Sequence, residues 1–377
     1  MNWPQSFQKA ETLRCPLRSY LNLITSVSSL CPREPPRTAL SPLLSSPVCV
    51  EGRRAVWHDK AVRIFSPVLV LSIVAGGLTI FTSAQGSVAD TEPTQILIGA
   101  GDINDCGHPA GALATAEILE AYPAATIFAA GDLAYFSGSD AAFRCYDTTW
   151  GRPSLRDRTR PAVGNHEYVT HGAAGFYKYW RKARENKPWQ ITGGDLEKAY
   201  YSFNLGAWHV VVINSECADS WFFRAGAPSC DQGSEQEQWL REDLKRFPAA
   251  CTLAYWHHPL FNNGAHHGGS PKMKAIWQAL YELNADVVLT AHEHDYERFA
   301  PQDPDGQLDP RRGIREFVVG TGGKMEKGQF ASDHNSEHQE KAVFGVLKLT
   351  LHPNSYDFEF IRGGDKKVLD SGSAECH

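Results

Sequence analysis

Two histidines stand two residues apart in "LTAHEHDYERFAP" (residues 289–301), at His292 and His294. An apolar run, "ADVVLTA", leads into them, and an acidic, aromatic and basic tail follows. Neutral imidazole is the commonest side-chain metal ligand, but a solvated loop after a buried strand has the same composition. Four other apolar runs end in polar groups of related kinds. Asp102 follows "ILIGAG", Asp132 follows "TIFAAG", Asn165 and His166 follow "RPAVG", and His257 and His258 follow "CTLAYW". Carboxylate, amide and imidazole together suit a pair of divalent or trivalent cations, since aspartate can bridge two ions and imidazole suits zinc and iron. Two such ions can activate a nucleophile and clamp a transferred phosphoryl group. Taken singly, each fragment reads as a turn, because Gly, Asp and Asn dominate turns. Their occurrence in order, each at a strand exit, favours one constellation.

The elements that must position these groups alternate along the chain. "QILIGAGD" and "ATIFAAGD" are short apolar runs, and "GALATAEILEAY" between them reads as a helix. "YSFNLGAWHVVVIN" reads as two strands around a turn at Gly206. "SEQEQWLREDLKRF" opens with the capping pair Ser234 and Glu237 and carries an apolar stripe of Leu240, Leu244 and Phe247. "CTLAYW", "ADVVLT", "REFVVG" and "FGVLKLTLHPNSYDFEFIR" supply later strands, the last broken by a Pro-Asn-Ser turn. Repeated strand, helix, strand order predicts an α/β domain over about residues 90–375. The late hairpin predicts mixed rather than purely parallel sheets. In such sheets ligands gather beyond the carboxyl ends of the strands.

The pattern resembles the calcineurin-like metallophosphoesterases, and within them the purple acid phosphatase branch. The resemblance rests on "GD" at 101–102, "GDLAY" at 131–135, "GNHE" at 164–167, "HHP" at 257–259 and "AHEHDYER" at 291–298. The stretch "FRCYDTTWGRPSLRDRTRPAVGNHEY" is similar to compact bacterial members without an added N-terminal β-domain. The resemblance implies a sandwich of central mixed β-sheets flanked by helices. It implies that Asp102, Tyr135 and His294 bind a first metal, that Asp132 bridges, and that Asn165, His257 and His292 bind the second. The ligand position two before the proline selects His257 over His258. His166 would contact the phosphate, and His266 and His267, nine and ten residues after His257, would face the substrate.

A bound phenolate at Tyr135 needs a strongly polarising cation, because a free phenol has a pKa of about 10. The resemblance therefore implies Fe3+ at the first site and Fe2+, Zn2+ or Mn2+ at the second. Where the wider family has Asp-x-His, this chain has Asp102, Ile103 and Asn104, in keeping with a ligand supplied by Tyr135 instead. Ala291 replaces the glycine usual before the first histidine of the last motif, and alanine disfavours positive φ. A shifted turn is expected there. His108 reads more simply as a surface loop residue, and Arg298, outside the primary site, either orients groups around the last motif or serves only as an ion-pair partner.

The implied reaction is dimetal-dependent hydrolysis of phosphate monoesters, acid phosphatase-like, by attack of a metal-activated hydroxide on phosphorus. The alternatives are a phosphodiesterase or nucleotidase with the same core, or an inactive secreted phosphate-binding homologue.

Composition sets the remaining bounds. The 377 residues are 42% hydrophobic and 21% charged, with a formal net charge of −6. No basic tail or Lys/Arg run marks a nucleic-acid partner, and the expected partner is a small phosphorylated substrate. "VRIFSPVLVLSIVAGGLTIFTSAQG" (residues 62–86) has a basic start, an apolar run and a small-residue exit near Ala84. It reads as a signal peptide over 62–84, with 64–81 also long enough for a membrane anchor. A signal normally stands at the true N-terminus, so residues 1–61 read as an unstructured extension or a gene-model artefact. The domain is then expected to be exported, periplasmic or secreted, or else tethered by an uncleaved signal. Six cysteines follow Ala84: Cys106, Cys145, Cys217, Cys230, Cys251 and Cys376. An even count after an export signal suits disulfides, and six cysteines allow fifteen pairings, of which Cys217 with Cys230 is the most local.

Overall fold

A computed structural model describes residues 93–185, 187–218 and 226–377. The 1–61 extension and the 62–84 signal or anchor lie outside the described residues. Among the described residues no helix is long and apolar enough to cross a membrane.

The Gly-Asp turns lie among β1 (Gln95–Ala100), β2 (Asn104–Asp105), α1 (Ala110–Glu120), β3 (Thr126–Ala130) and β4 (Ala134–Tyr135). Then come α2 (Asp140–Tyr146), α3 (Pro153–Arg156), β5 (Thr159–Ala162), α4 (Asn165–Tyr168) and α5 (Ala174–Arg184). The middle holds β6 (Gly193–Asp195), β7 (Tyr200–Leu205), β8 (Trp208–Val212), α6 (Glu235–Arg246), β9 (Cys251–Tyr255), α7 (Lys274–Glu282) and β10 (Val287–Thr290). β11 (Tyr296–Phe299), β12 (Arg315–Val319), β13 (Ser336–Glu340), β14 (Gly345–Leu351), β15 (Ser355–Arg362) and β16 (Val368–Glu375) follow.

Apart from β2 and β4, which pair with each other, these strands build two large mixed sheets, as the alternation predicts. One runs β16-β15-β14-β1-β3-β5, the other β13-β11-β12-β10-β9-β8-β7-β6. β1, β3 and β5 are parallel, and so are β8, β9, β10 and β12; the outer strands are antiparallel. Side chains alternate across a strand, and the burial follows. Val210, Val212, Leu253, Tyr255, Val287 and Leu289 pack into one core with Leu97, Phe128 and Leu347 of the first sheet. Their neighbours Val211, Ala254 and Val288 turn the other way, onto Leu240, Trp277 and Leu280 of α6 and α7. Ring pairs cross between the sheets, Phe128 to Tyr255 at 5.9 Å and Phe317 to Phe358 at 5.2 Å. The architecture is thus an α/β sandwich of mixed sheets flanked by helices.

The Ser234 hydroxyl caps α6 by accepting the Glu237 N–H at 3.3 Å, as that sequence predicts. Glu237 completes the cap differently, by accepting the Gly233 N–H at 3.0 Å. All six described cysteines are paired: Cys106–Cys145, the local Cys217–Cys230, and Cys251–Cys376, which closes 125 residues of chain. The last ties the start of β9 to the C-terminal residues. Closing so long a loop constrains the unfolded chain, so Cys251→Ser with Cys376→Ser is expected to cost about 3–5 kcal/mol. Chemical denaturation of oxidised wild type and the double variant would measure the loss.

Candidate metal centre

Parallel pairing sets the first two carboxylates side by side. β1 and β3 run in register to Ala100 and Ala129, so Asp102 and Asp132 leave the same sheet edge together. The turns then bond to each other: Asp102 N–H donates to Gly131 O at 3.1 Å and Ile103 N–H to Asp132 O at 2.9 Å. Gly131 has φ 83°, and a Cβ there would lie 2.6 Å from His257 Nδ1, so neither the turn nor the imidazole tolerates a side chain. Asp102, Asp132 and His292 take positive φ of 56°, 51° and 71°. Such backbone costs free energy in non-glycine residues and clusters at functional sites.

The neighbouring strand exits complete the set. Tyr135 Oη donates to Asp102 Oδ1 at 2.5 Å and lies 3.0 Å from Asp132 Oδ2, with His294 Nε2 at 3.2 Å. His294 Nε2 is also 3.3 Å from Asp102 Oδ1. On the other side, His257 Nε2 lies 3.1 Å from Asn165 Oδ1, 3.2 Å from His292 Nδ1 and 3.3 Å from Asp132 Oδ2. All seven residues expected as ligands are therefore brought together, in two groups that meet at Asp132. Asp102, Asp132, Tyr135, His257 and His292 are buried.

His257 Nδ1 lies 2.8 Å from Ala130 O, so it carries the proton and leaves Nε2 aimed at the cluster. That is the usual way a protein orients a ligand imidazole. His258 instead places Nδ1 3.1 Å from Ser215 Oγ, although its ring still lies 4.4 Å from that of His292.

The donor set fits cations. Burial, then Asp102 and Asp132, push the Tyr135 phenol well above its ordinary range. Burial lowers the His257 imidazole, yet Asp132 and Asp102 more than offset it and bring it up to about 10. A cation among these groups inverts that logic, favouring phenolate and displacing the imidazole proton. His292 needs no such exchange: burial, with His257 and His267, holds it at about 3, neutral as a ligand must be. Asp102, Asp132 and His257 lie close enough to share one ion, and so do His257, His258 and His292.

The calcineurin-like phosphoesterase family model matches residues 96–296, more than half of the chain. The chain belongs to this family. It is 31% identical over 187 residues to purple acid phosphatase 15 of Arabidopsis thaliana, covering 47% of this chain and 32% of that protein. To purple acid phosphatase 18 of the same plant it is 26% identical over 249 residues, covering 63% and 52%. The chain thus spans about half or less of the length of these relatives. The fold is similar to that of purple acid phosphatase PPD1 from yellow lupin seeds, with TM-score 0.60, 19% identity and coverage of 75% of this chain and 54% of that one. It is also similar to GAP50, the anchor in the inner membrane complex of Plasmodium, with TM-score 0.55, 13% identity and coverage of 75% and 89%.

Within this calcineurin-like phosphoesterase, the remaining candidates fall into place as follows. His166 donates its backbone N–H to Asp132 Oδ1 at 2.8 Å, and its Nδ1 lies 2.8 Å from Phe136 O. The His267 ring lies 4.2 Å from that of His292, and His266 Nδ1 lies 3.0 Å from His267 Nε2, on the outer side. Asn104 turns away, its Oδ1 accepting from Thr149 Oγ1 at 3.0 Å. His108 is exposed beside Asp105, and Arg298 pairs with Asp370 and Glu337, away from the cluster.

At Ala291 the backbone avoids positive φ. Positive φ falls on His292, not on residue 291, so the alanine carries no such strain. Its methyl occupies the space that a side chain on Gly101 would need.

Two contributors escape sequence reasoning. Glu167, read only as the end of "GNHE", accepts the N–H groups of Asp132, Leu133, Ala134 and Gly164 at 2.8–3.1 Å. Lys324 donates to Asp105 at 2.9 Å, and its Nζ sits 4.5 Å over the Tyr135 ring. Lys324 lies in the exit of another strand, β12, in "VVGTGGK", and that placement is the signal that would have found it.

Proposed function

We propose that this protein hydrolyses phosphate monoesters, acid phosphatase-like, at a dimetal centre held by Asp102, Asp132, Tyr135, Asn165, His257, His292 and His294. One observation carries the reading: Asp132 Oδ2 lies 3.0 Å from Tyr135 Oη and 3.3 Å from His257 Nε2, between the two halves of the donor set. A ferric ion suits the half containing the phenol, and Fe2+, Zn2+ or Mn2+ the half with amide and imidazoles. Bound there, the ions would generate a hydroxide nucleophile near neutral pH and offset charge on the phosphoryl oxygens.

The chain's own groups do the rest. With Nδ1 donating to Phe136 O, His166 turns Nε2 to within 3.8 Å of Asp132 Oδ2, where it can meet a phosphate oxygen. As the ester P–O bond breaks, its electron pair stays on the leaving oxygen, which takes a proton from the His267 imidazole. Solvent then restores that proton. His166→Ala should retain both metals and lose about 10²-fold in kcat, the scale of one oxyanion donor. Metal analysis beside phosphate release checks this, and loss of the metals would contradict a phosphate-contacting role.

A second reading, nucleotide hydrolysis, is favoured by Phe136, which is 64% exposed with its ring 6.1 Å from that of His166. Such a ring offers a stacking face to a nucleobase. Metal analysis and phosphate release from monoesters, diesters and nucleotides, on residues 85–377, test both readings. Folded protein with two metals and no ester hydrolysis would end the enzyme reading, and metal-free activity would end the dimetal one. The three disulfides support a further part of the proposal, that the domain works in an oxidising compartment after export. N-terminal sequencing of the secreted or membrane fraction tests it.

A further inference from the structure

Glu293 stands between His292 and His294, yet its side chain serves a different segment. It is fully buried. Its Oε1 accepts the His266 N–H at 3.1 Å, and its Oε2 accepts the His267 N–H at 2.8 Å and the Asn262 Nδ2 at 3.3 Å. His267 Nδ1 lies 3.5 Å from the same Oε2. Asn262 in turn accepts the Gly264 N–H at 2.7 Å. The loop folds so closely on the carboxylate that a side chain at Gly264 would overlap it. Behind it, Lys341 Nζ lies 3.9 Å from Glu293 Oε1 and 3.5 Å from Asp295 Oδ2, which keeps the buried charge paired.

We infer that Glu293 is a positioning residue: it fastens the 262–267 loop to the strand exit that carries His292 and His294, and so holds His267 over the reacting ester. Asn263 is buried and bonded to Glu297 at 2.8 and 3.0 Å, which fixes the start of the loop, but His266 and His267 are exposed, and it is Glu293 that holds their backbone through charge-assisted bonds. One short segment thereby sets both the metal ligands and the group that protonates the leaving oxygen. The inference rests on the hydrolytic reading above, and its consequence depends on the leaving group. An alkoxide needs a proton to depart, whereas p-nitrophenolate leaves without one.

The test compares glycerol 1-phosphate with p-nitrophenyl phosphate in wild type, Glu293→Gln, His267→Ala and the double variant. Glu293→Gln keeps the volume but sets an amide NH2 against the loop's N–H donors. It should retain two metals and lower the alkyl-to-aryl ratio of kcat about 10–100-fold, part of a general acid's usual contribution. His267→Ala should lower the ratio similarly, and the double variant no further. Hydrogen exchange at the His266 and His267 amides should rise in Glu293→Gln, a readout that needs no activity. An unchanged ratio in Glu293→Gln, or a further fall in the double variant, overturns the inference. So does a wild-type ratio in His267→Ala, which would leave hydrolysis standing but remove the proton donor. If wild type released phosphate from neither ester, the hydrolytic reading would fail on its own; unchanged amide exchange would then still refute the clamp.

Discussion

Asp132→Asn is expected to bind fewer than two metals and to lose turnover by about 10³-fold or more, since on the proposed dimetal reading this one group would serve both ions. The substitution preserves shape. Asparagine accepts the positive φ of 51° at this position as readily as aspartate. Its Oδ1 can still accept the His166 N–H that Asp132 Oδ1 holds at 2.8 Å. What disappears is the negative charge between Tyr135 and His257, and with it the one ligand the two halves share. Circular dichroism should show the fold retained while metal analysis and phosphate release both fall. Two metals per chain with a normal rate would refute the bridging assignment.

Glu167→Ala should act on the scaffold rather than on a ligand. Four N–H groups converge on this buried carboxylate, three from the Asp132 turn and one from Gly164. Truncation strands all four, and leaving buried donors unpaired costs more than a single hydrogen bond contributes. A loss of about 3–5 kcal/mol is expected, at the upper end for single substitutions. Because Asp132 and Asn165 leave the two segments that Glu167 joins, metal affinity should fall with stability. Glu167→Gln keeps one acceptor oxygen and should fall between. Denaturant unfolding with metal titration would measure both, and an alanine variant with wild-type stability and affinity would rule out the tie.

Much of this site is legible in the residue order. Apolar runs ending in Gly-Asp, Gly-Asn-His, His-His-Pro and His-x-His state both the strands and the donors, because a parallel strand must be apolar while its exit is free to be polar. Some elements are not legible. β13, "SEHQE", has no apolar pattern and pairs with β11 through its backbone at a partly exposed edge. β11, "YERF", lies inside the last motif, where site residues hide the strand signal.

By itself, the sequence determined which residue types stand at the strand exits, how many cysteines the domain carries, and that the domain is α/β. These are local properties, readable from composition and period. Only the tertiary structure decided that Asp132 sits between Tyr135 and His257, that Cys251 meets Cys376 across 125 residues, and that Ala291 is free of strain. It also decided that Glu293 reaches back to the loop of His266 and His267. Each depends on which strands become neighbours, and sheet order follows from burying both apolar faces of the whole chain at once, which no short stretch encodes.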